Sequence, residues 1–348
     1  MNRERQRMSL FVQTFSHHRC ASFLYSRRVV SKQCGMKTKR FTLMSDSDSV
    51  PLSVMTCMPD NGMPKAFMQI AHGMCGYKER YLSFMEYMTM NGVACVANDH
   101  RGHGASVRSH DDLGFMYSGG GEALVDDMVQ VTLWIHDSYP SIPVFLLGHS
   151  MGSMAARVYV QKYDDLISGL ILSGSPSWTS FSYLAYILTG VVSLLGGGRI
   201  RAAWPTDLVS GIYNIRFSSE GSRAWTCSDS AVREEFENNP LCNFIFTVNG
   251  IHGLMSLMIM SYQNDGWDMH NPEMPVFFIS GDDDPCKGTE EKFHMAAMDM
   301  CRHGYHNVKS ALYGGMRHEI LNEKEKEYVW NDILLFVESN LSGIKSQT

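Results

Sequence analysis

The chain has 348 residues, 44% hydrophobic and 19% charged, with a formal net charge of −6. That length holds one large α/β domain or two small ones, and the acidic balance excludes nucleic acid as an expected partner. Its nine cysteines are scattered, odd in number and without a Cys-x-x-Cys pair, which points to reduced thiols in the cytoplasm and away from a disulfide framework or a metal site.

Residues 1–36 stand apart. They carry Arg3, Arg5, Arg7, Arg19, Arg27, Arg28 and Lys32 against one acid, Glu4, and lack the apolar core of a secretory signal. This basic, acid-poor stretch reads either as a transit-like segment or as an extension expected to lie outside the fold, disordered or absent from the natural protein. From Lys37 the pattern becomes regular. Short β-type runs cover Arg40 to Met44 and Leu52 to Thr56, and Asp60-Asn61-Gly62 marks a turn. Ala66 to Ala71 reads as a buried strand ending at His72-Gly73. Tyr81 to Met90 has helical spacing and closes at Asn91-Gly92, and Val93 to Ala97 is the next strand. A helix is expected over Glu122 to Tyr139, a strand over Pro143 to Leu147, a helix over Met151 to Tyr163 and a strand over Leu170 to Ser173.

The alternation stops after Gly174. Residues 175–262 are helix-like, with apolar stretches at Tyr183 to Leu195 and Leu254 to Met260. No apolar run reaches the ~18 residues of a membrane span. Strand–helix alternation resumes with the strand Pro275 to Ser280, a helix over 289–302, the strand Val308 to Tyr313 and a last helix from Glu323 to Ser339. This rhythm predicts a mostly parallel sheet with helices on both faces, built from 37–174 and 263–342. The segment 175–262 becomes a helical cap over the carboxyl ends of the strands, where open α/β sheets bind ligands.

Between the expected strand at 143–147 and the helix that follows stands Gly148-His149-Ser150-Met151-Gly152. Strand, tight turn and helix are the surroundings a nucleophile elbow requires. The glycines let strand and helix approach, and Ser150 would stand at the tip. A serine hydroxyl needs a base, and the base needs an orienting carboxylate. His318 follows Gly314-Gly315 directly after the last strand, which singles it out among 14 histidines. Gly281-Asp282-Asp283-Asp284 follows the strand at 275–280; Asp284 has the reach to turn in, with Asp282 next. The other two acids suit a turn and helix cap. The oxyanion donors are expected to be the backbone N–H groups of Met151 and Met74, the latter set by His72 and Gly73. No cofactor is expected.

Taken together, Ala71-His72-Gly73-Met74, Arg80-Tyr81, Asp99-His100-Arg101-Gly102-His103-Gly104, Gly148 to Ser153 and the Asp284/His318 pair resemble the monoacylglycerol lipase and lysophospholipase group of α/β hydrolases, also labelled serine aminopeptidase S33 or hydrolase-4. The likeness covers about 37–342. It implies an α/β-hydrolase fold with Ser150 as nucleophile, Asp284 as acid, His318 as base and Met74 with Met151 as oxyanion donors. Asp99 to Gly104 is then a structural loop beneath the site. One departure stands out: where members of the group carry an acidic residue and His after His-Gly, this chain has Cys75-Gly76-Tyr77, which leaves glyceride specificity open. Cys75 reads either as an alkylation-sensitive thiol or as a small buried residue.

The lead expectation is ester hydrolysis of a single-chain lipid, a monoacylglycerol or a lysophospholipid, from the expected triad together with an apolar, methionine-rich cap; the 25 methionines read either as flexible core filler or as the lining of a deformable pocket. Helix 183–195 is expected either to be buried or to touch a membrane or micelle surface peripherally. Two alternatives are a short-chain carboxylesterase and an aminopeptidase, the latter needing carboxylates such as Glu234, Glu235 and Glu237 for the substrate ammonium. A non-catalytic binding protein would lack the nucleophile or the base. Epoxide and haloalkane hydrolysis would need a carboxylate where Ser150 stands.

Overall fold

The computed structural model describes residues 36–60 and 62–344; apart from Met36, the basic extension expected over 1–36 lies outside them. After β1 (Lys37–Met44) and β2 (Pro51–Met58), the centre is built from strands in which every position is buried: β3 (Ala66–Ala71), β4 (Val93–Asn98), β5 (Val144–His149), β6 (Gly169–Ser173) and, later in the chain, β7 (Val276–Gly281). Short continuous apolar runs are what a parallel sheet covered on both faces demands. With β1, β2 and β8 (Val308–Tyr313) they form one sheet in the order β1-β2-β4-β3-β5-β6-β7-β8. β1 pairs antiparallel with β2, and β2 antiparallel with β4; every other pairing is parallel. The edge strand β1 exposes Lys37, Lys39 and Arg40, charges that discourage pairing with another chain.

Successive side chains of a strand point to opposite faces, and β5 shows the split. Val144 and Leu146 enter one core with Leu124, Met128 and Ile135 of α2 (Gly120–Ser138) and Met154 of α3 (Met151–Tyr159). Phe145 and Leu147 enter the other with Phe84 and Met88 of α1 (Leu82–Met90) and residues of the last helix, Lys326–Ile344. Burying each such side chain contributes about 1.5–3 kcal/mol. The helices do lie on both faces, as the alternation predicts.

Between β6 and β7 the chain forms α4 (Phe181–Leu194), α5 (Ala203–Asn214), α6 (Ser230–Asn238) and α7 (Val248–Ser261), plus one isolated bridge between Arg201 and Thr247. Helix α7 is the anchor. Thr247 caps it by accepting from the Gly250 N–H at 3.1 Å, and Ile251, Leu257 and Met258 are buried. Helix α4 packs on α7 yet buries only Ser182 and Ala185. After β7 come α8 (Glu290–Arg302), β8 and α9 (Lys326–Ile344). The last helix starts three residues beyond the expected Glu323 because that carboxylate is engaged elsewhere: it accepts the backbone N–H groups of Arg317 and Ser228, each at 2.9 Å. Helix α3 ends at Tyr159 instead of Tyr163.

Candidate active site

At the end of β5 the chain reverses into α3 through Ser150, whose φ of 53° and ψ of −116° lie in a region costly to a residue with a side chain. Two glycines make the reversal fit. A Cβ on Gly148 would come within 2.4 Å of the Gly152 carbonyl oxygen, and one on Gly152 within 2.2 Å of the Ala71 carbonyl oxygen. The turn is further held by the Ser150 N–H donating to the Ser173 carbonyl at 2.9 Å and by Ser153 Oγ donating to the Ser150 carbonyl at 2.6 Å.

His318, on the loop after β8, faces this turn. Its Nε2 lies 2.8 Å from Ser150 Oγ, and its Nδ1 lies 3.0 Å from Asp284 Oδ2. Because Asp284 can only accept, the neutral ring carries its proton on Nδ1 and offers the Nε2 lone pair to the serine O–H. Asp284 is itself fixed at both oxygens: Oδ1 accepts the Cys286 N–H at 2.8 Å, and Oδ2 accepts Ser280 Oγ at 2.8 Å. Of the neighbouring acids, Asp282 accepts the Gly315 N–H and Asp283 pairs with Arg216, so Asp284 is the one that reaches His318.

Burial of the His318 ring pulls its pKa down, but the charge of Asp284 and its hydrogen bond outweigh burial and hold it well above the usual histidine value. For Asp284 burial pushes up, and the imidazole's charge and hydrogen bond leave it below the usual carboxylate value. Trp225 lies against the His318 ring with centroids 5.1 Å apart, and His149 flanks it at 4.8 Å.

The loop after β3 supplies Gly73 and Met74. A Cβ on Gly73 would meet Ser150 Cβ at 3.1 Å, so the loop approaches the turn as closely as glycine permits. Buried His72 braces it: Nδ1 donates to the Gly73 carbonyl at 2.8 Å, and Nε2 accepts the His100 N–H at 2.9 Å. An N–H donor on Nε2 fixes that tautomer, and burial lowers the His72 pKa to about 3, so it stays neutral. Asp99 accepts from the Lys78 N–H, Lys78 Nζ and the Ala105 N–H, knitting the 99–104 turn to the segment after Met74.

Three features went unnoticed in the sequence. Arg80 grips Glu319, the neighbour of His318, through two parallel bonds of 2.9 and 2.5 Å. Burial pushes the Glu319 carboxyl up, but Arg80 outweighs it and lowers the pKa to about 2. Trp225 and Cys286 are the others. Strand and helix periodicity does not reveal them, because each is placed by a loop or a short turn. Cys75 is buried, with φ of 56° and its thiol pushed up to about 12 by burial, so of the two readings it fits the small buried residue. Asp284, Cys286 and His318 present donor atoms within 4.8 Å of one another, as do Asp164, Asp165 and His270 elsewhere.

Above Ser150, loops and helices enclose a cavity of about 280 Å³. Five methionines line it, Met74, Met151, Met154, Met255 and Met258, with Phe181, Phe244 and Ile251 among the other apolar walls. Its acids are Asp207 and the Arg80-bound Glu319; Glu234, Glu235 and Glu237 are not among the lining residues.

A family profile described as serine aminopeptidase, S33 (hydrolase-4), matches residues 62–325. The chain belongs to this family. It is 23% identical over 281 residues to a monoacylglycerol lipase of Mycolicibacterium smegmatis, an alignment covering 80% of this chain and 90% of that one. It is 35% identical over 112 residues to a monoglyceride lipase homolog of monkeypox virus, covering 31% of this chain and only 38% of the relative. A thermostable carboxyl esterase of Bacillus coagulans, solved with glycerol, superposes with a TM-score of 0.80 at 23% identity, over 88% of this chain and all of the other. The sheet is therefore that of an α/β hydrolase, in agreement with the expected fold.

Proposed function

We propose that the chain is a serine carboxylester hydrolase of single-chain lipid esters, a monoacylglycerol or a lysophospholipid, working through an acyl-enzyme on Ser150. The observation that carries this is the unbroken line Asp284–His318–Ser150, with bonds of 3.0 and 2.8 Å, opening into a methionine-lined cavity. In this reading Ser150 Oγ attacks the ester carbonyl as His318 Nε2 takes its proton. The imidazolium, steadied by Asp284, then gives that proton to the leaving alkoxide. The Met151 N–H at the start of α3 and the Met74 N–H receive the oxyanion. Water, deprotonated by the same nitrogen, releases the fatty acid.

The similarity to a monoacylglycerol lipase and to a monoglyceride lipase homolog supports the lipid substrate. So does the cavity, whose flexible thioethers adapt to a chain with many conformers. Helix α4 turns Leu184, Ile187, Leu188, Val191 and Leu194 outward, and α5 adds Leu208 and Ile212. Large apolar side chains left exposed in this number mark an interaction site. We read it as the face through which a cap over 175–262 rests on a membrane or micelle and takes up its substrate. Among the described residues no helix is long and apolar enough to cross a membrane, and all seven described cysteines are free. The free thiols favour a cytoplasmic enzyme visiting lipid surfaces. The aminopeptidase reading loses its motivation, because Glu234, Glu235 and Glu237 do not line the cavity.

A panel of nitrophenyl esters from acetate to long acyl chains, followed by lipid substrates with products identified by mass spectrometry, tests the proposal. Turnover should rise with chain length. Preference for acetate, with nothing turned over beyond it, would leave a short-chain esterase instead.

A further inference from the structure

Cys286 has no part in the acyl-transfer scheme, yet it sits beside it. The short turn after Asp284 folds back so that the Cys286 N–H donates to Asp284 Oδ1 at 2.8 Å. This places one carboxylate oxygen, one thiol sulfur and one imidazole nitrogen within 4.8 Å of one another, all three side chains buried. Oxygen, sulfur and nitrogen donors from three residues are a set that zinc takes. Cys286 and His318 both line the cavity above Ser150, so an ion can reach them from the side where substrate enters. Asp284 and the ring are held in place by Ser280, Trp225 and His149.

We infer that Asp284, Cys286 and His318 form an inhibitory site for zinc-class divalent cations, switching off the serine hydrolase reading on which this regulation rests. The ring nitrogen that lies 3.0 Å from Asp284 Oδ2 is Nδ1, and the effect on catalysis follows from its occupation. The ion takes the Asp284-facing edge of the ring, binding Nδ1 in place of the proton that Asp284 now accepts. The thiol releases its proton to solvent and binds as thiolate. The proton displaced from Nδ1 passes to solvent and Nε2 takes one up, so the ring stays neutral as the opposite tautomer and the net release is the thiol proton. Nε2, 2.8 Å from Ser150 Oγ, becomes a donor to the serine and can no longer accept its proton. No bond to substrate is needed, and removing the ion restores the original tautomer. Oxygen-seeking magnesium, which keeps its waters, does not suit this donor set.

Two measurements on the full chain test this. Cadmium stands in for zinc because its bond to a thiolate absorbs in the ultraviolet. One equivalent should produce the thiolate band in wild type and in Cys301→Ala, and the band should be lost in Cys286→Ala. Cys286→Ser, which keeps the size and a polar atom, serves if the alanine variant does not fold. Zinc should suppress ester turnover, with recovery on adding EDTA. Sensitivity, taken relative to each variant's own metal-free rate, should fall at least about tenfold in the Cys286 variants. A band of undiminished size without Cys286, no band in folded wild type, or equal zinc sensitivity in both would overturn the site. The band requires no turnover, so a chain that binds cadmium through Cys286 but hydrolyses no ester would sink the ester reading while leaving the metal site in place.

Discussion

Replacing Asp284 with asparagine tests the proposed chemistry without changing the shape of the site. The Cys286 N–H points at Oδ1 and can only donate, so the asparagine carbonyl must occupy that position. The amide NH2 then takes the place of Oδ2, aimed at Ser280 Oγ and His318 Nδ1. Ser280 can rotate its hydroxyl and accept. Nδ1 must accept too, which drives the ring proton to Nε2, where it meets Ser150 and blocks the transfer. A wrong tautomer of this kind costs about 10⁴ in kcat in a serine protease, or ~5.5 kcal/mol in the barrier, with KM little changed. The pH profile gives a second reading. The base works only when neutral, so activity falls as pH drops through the His318 pKa, which Asp284 holds well above the usual histidine value. Removing that charge should move the acid limb to lower pH. Steady-state kinetics of a soluble nitrophenyl ester from pH 5 to 10 would show both effects. A variant within about tenfold of wild type, or an acid limb that stays put, would refute the tautomer argument.

Ser150→Ala should abolish labelling by a fluorophosphonate while the circular dichroism spectrum stays that of wild type. Gly152→Ala puts a methyl group 2.2 Å from a backbone oxygen and should lower Tm by roughly 5 °C or more in a thermal melt. Arg80→Ala leaves Glu319 buried and unpaired beside His318; it should destabilise by about 3–5 kcal/mol in urea unfolding and shift the acid limb of activity to higher pH, whereas a double Arg80→Met, Glu319→Met variant should recover much of the stability. Ile187→Glu with Val191→Glu on α4 should weaken sedimentation with lipid vesicles and turnover of vesicle-borne substrate, leaving a soluble ester unaffected.

Local patterns told much about the sheet and its strand ends. Ser150, Asp284 and His318 each follow a short apolar run and a glycine, and parallel strands bring such ends to one edge, which is why the three could be paired from sequence. The Arg80–Glu319 clamp spans 239 positions. It depends on which strands become neighbours, and no local periodicity encodes that. Cys286 escaped notice for a different reason: its position is set by the way the turn after Asp284 closes on its own carboxylate. Helix α4 was left open between buried and surface-touching, since an all-apolar helix looks the same in either setting. The structure shows its outward residues exposed.

The turn around Ser150 also separates two kinds of information within five residues. Gly148 and Gly152 are required because backbone from neighbouring segments occupies the space where their side chains would be, and this holds whatever stands between them. Any descendant that kept the architecture but abandoned hydrolysis would still need both. The glycines are therefore a record of how the chain is packed, and Ser150, midway between them, is where the same architecture can gain, change or lose a reaction.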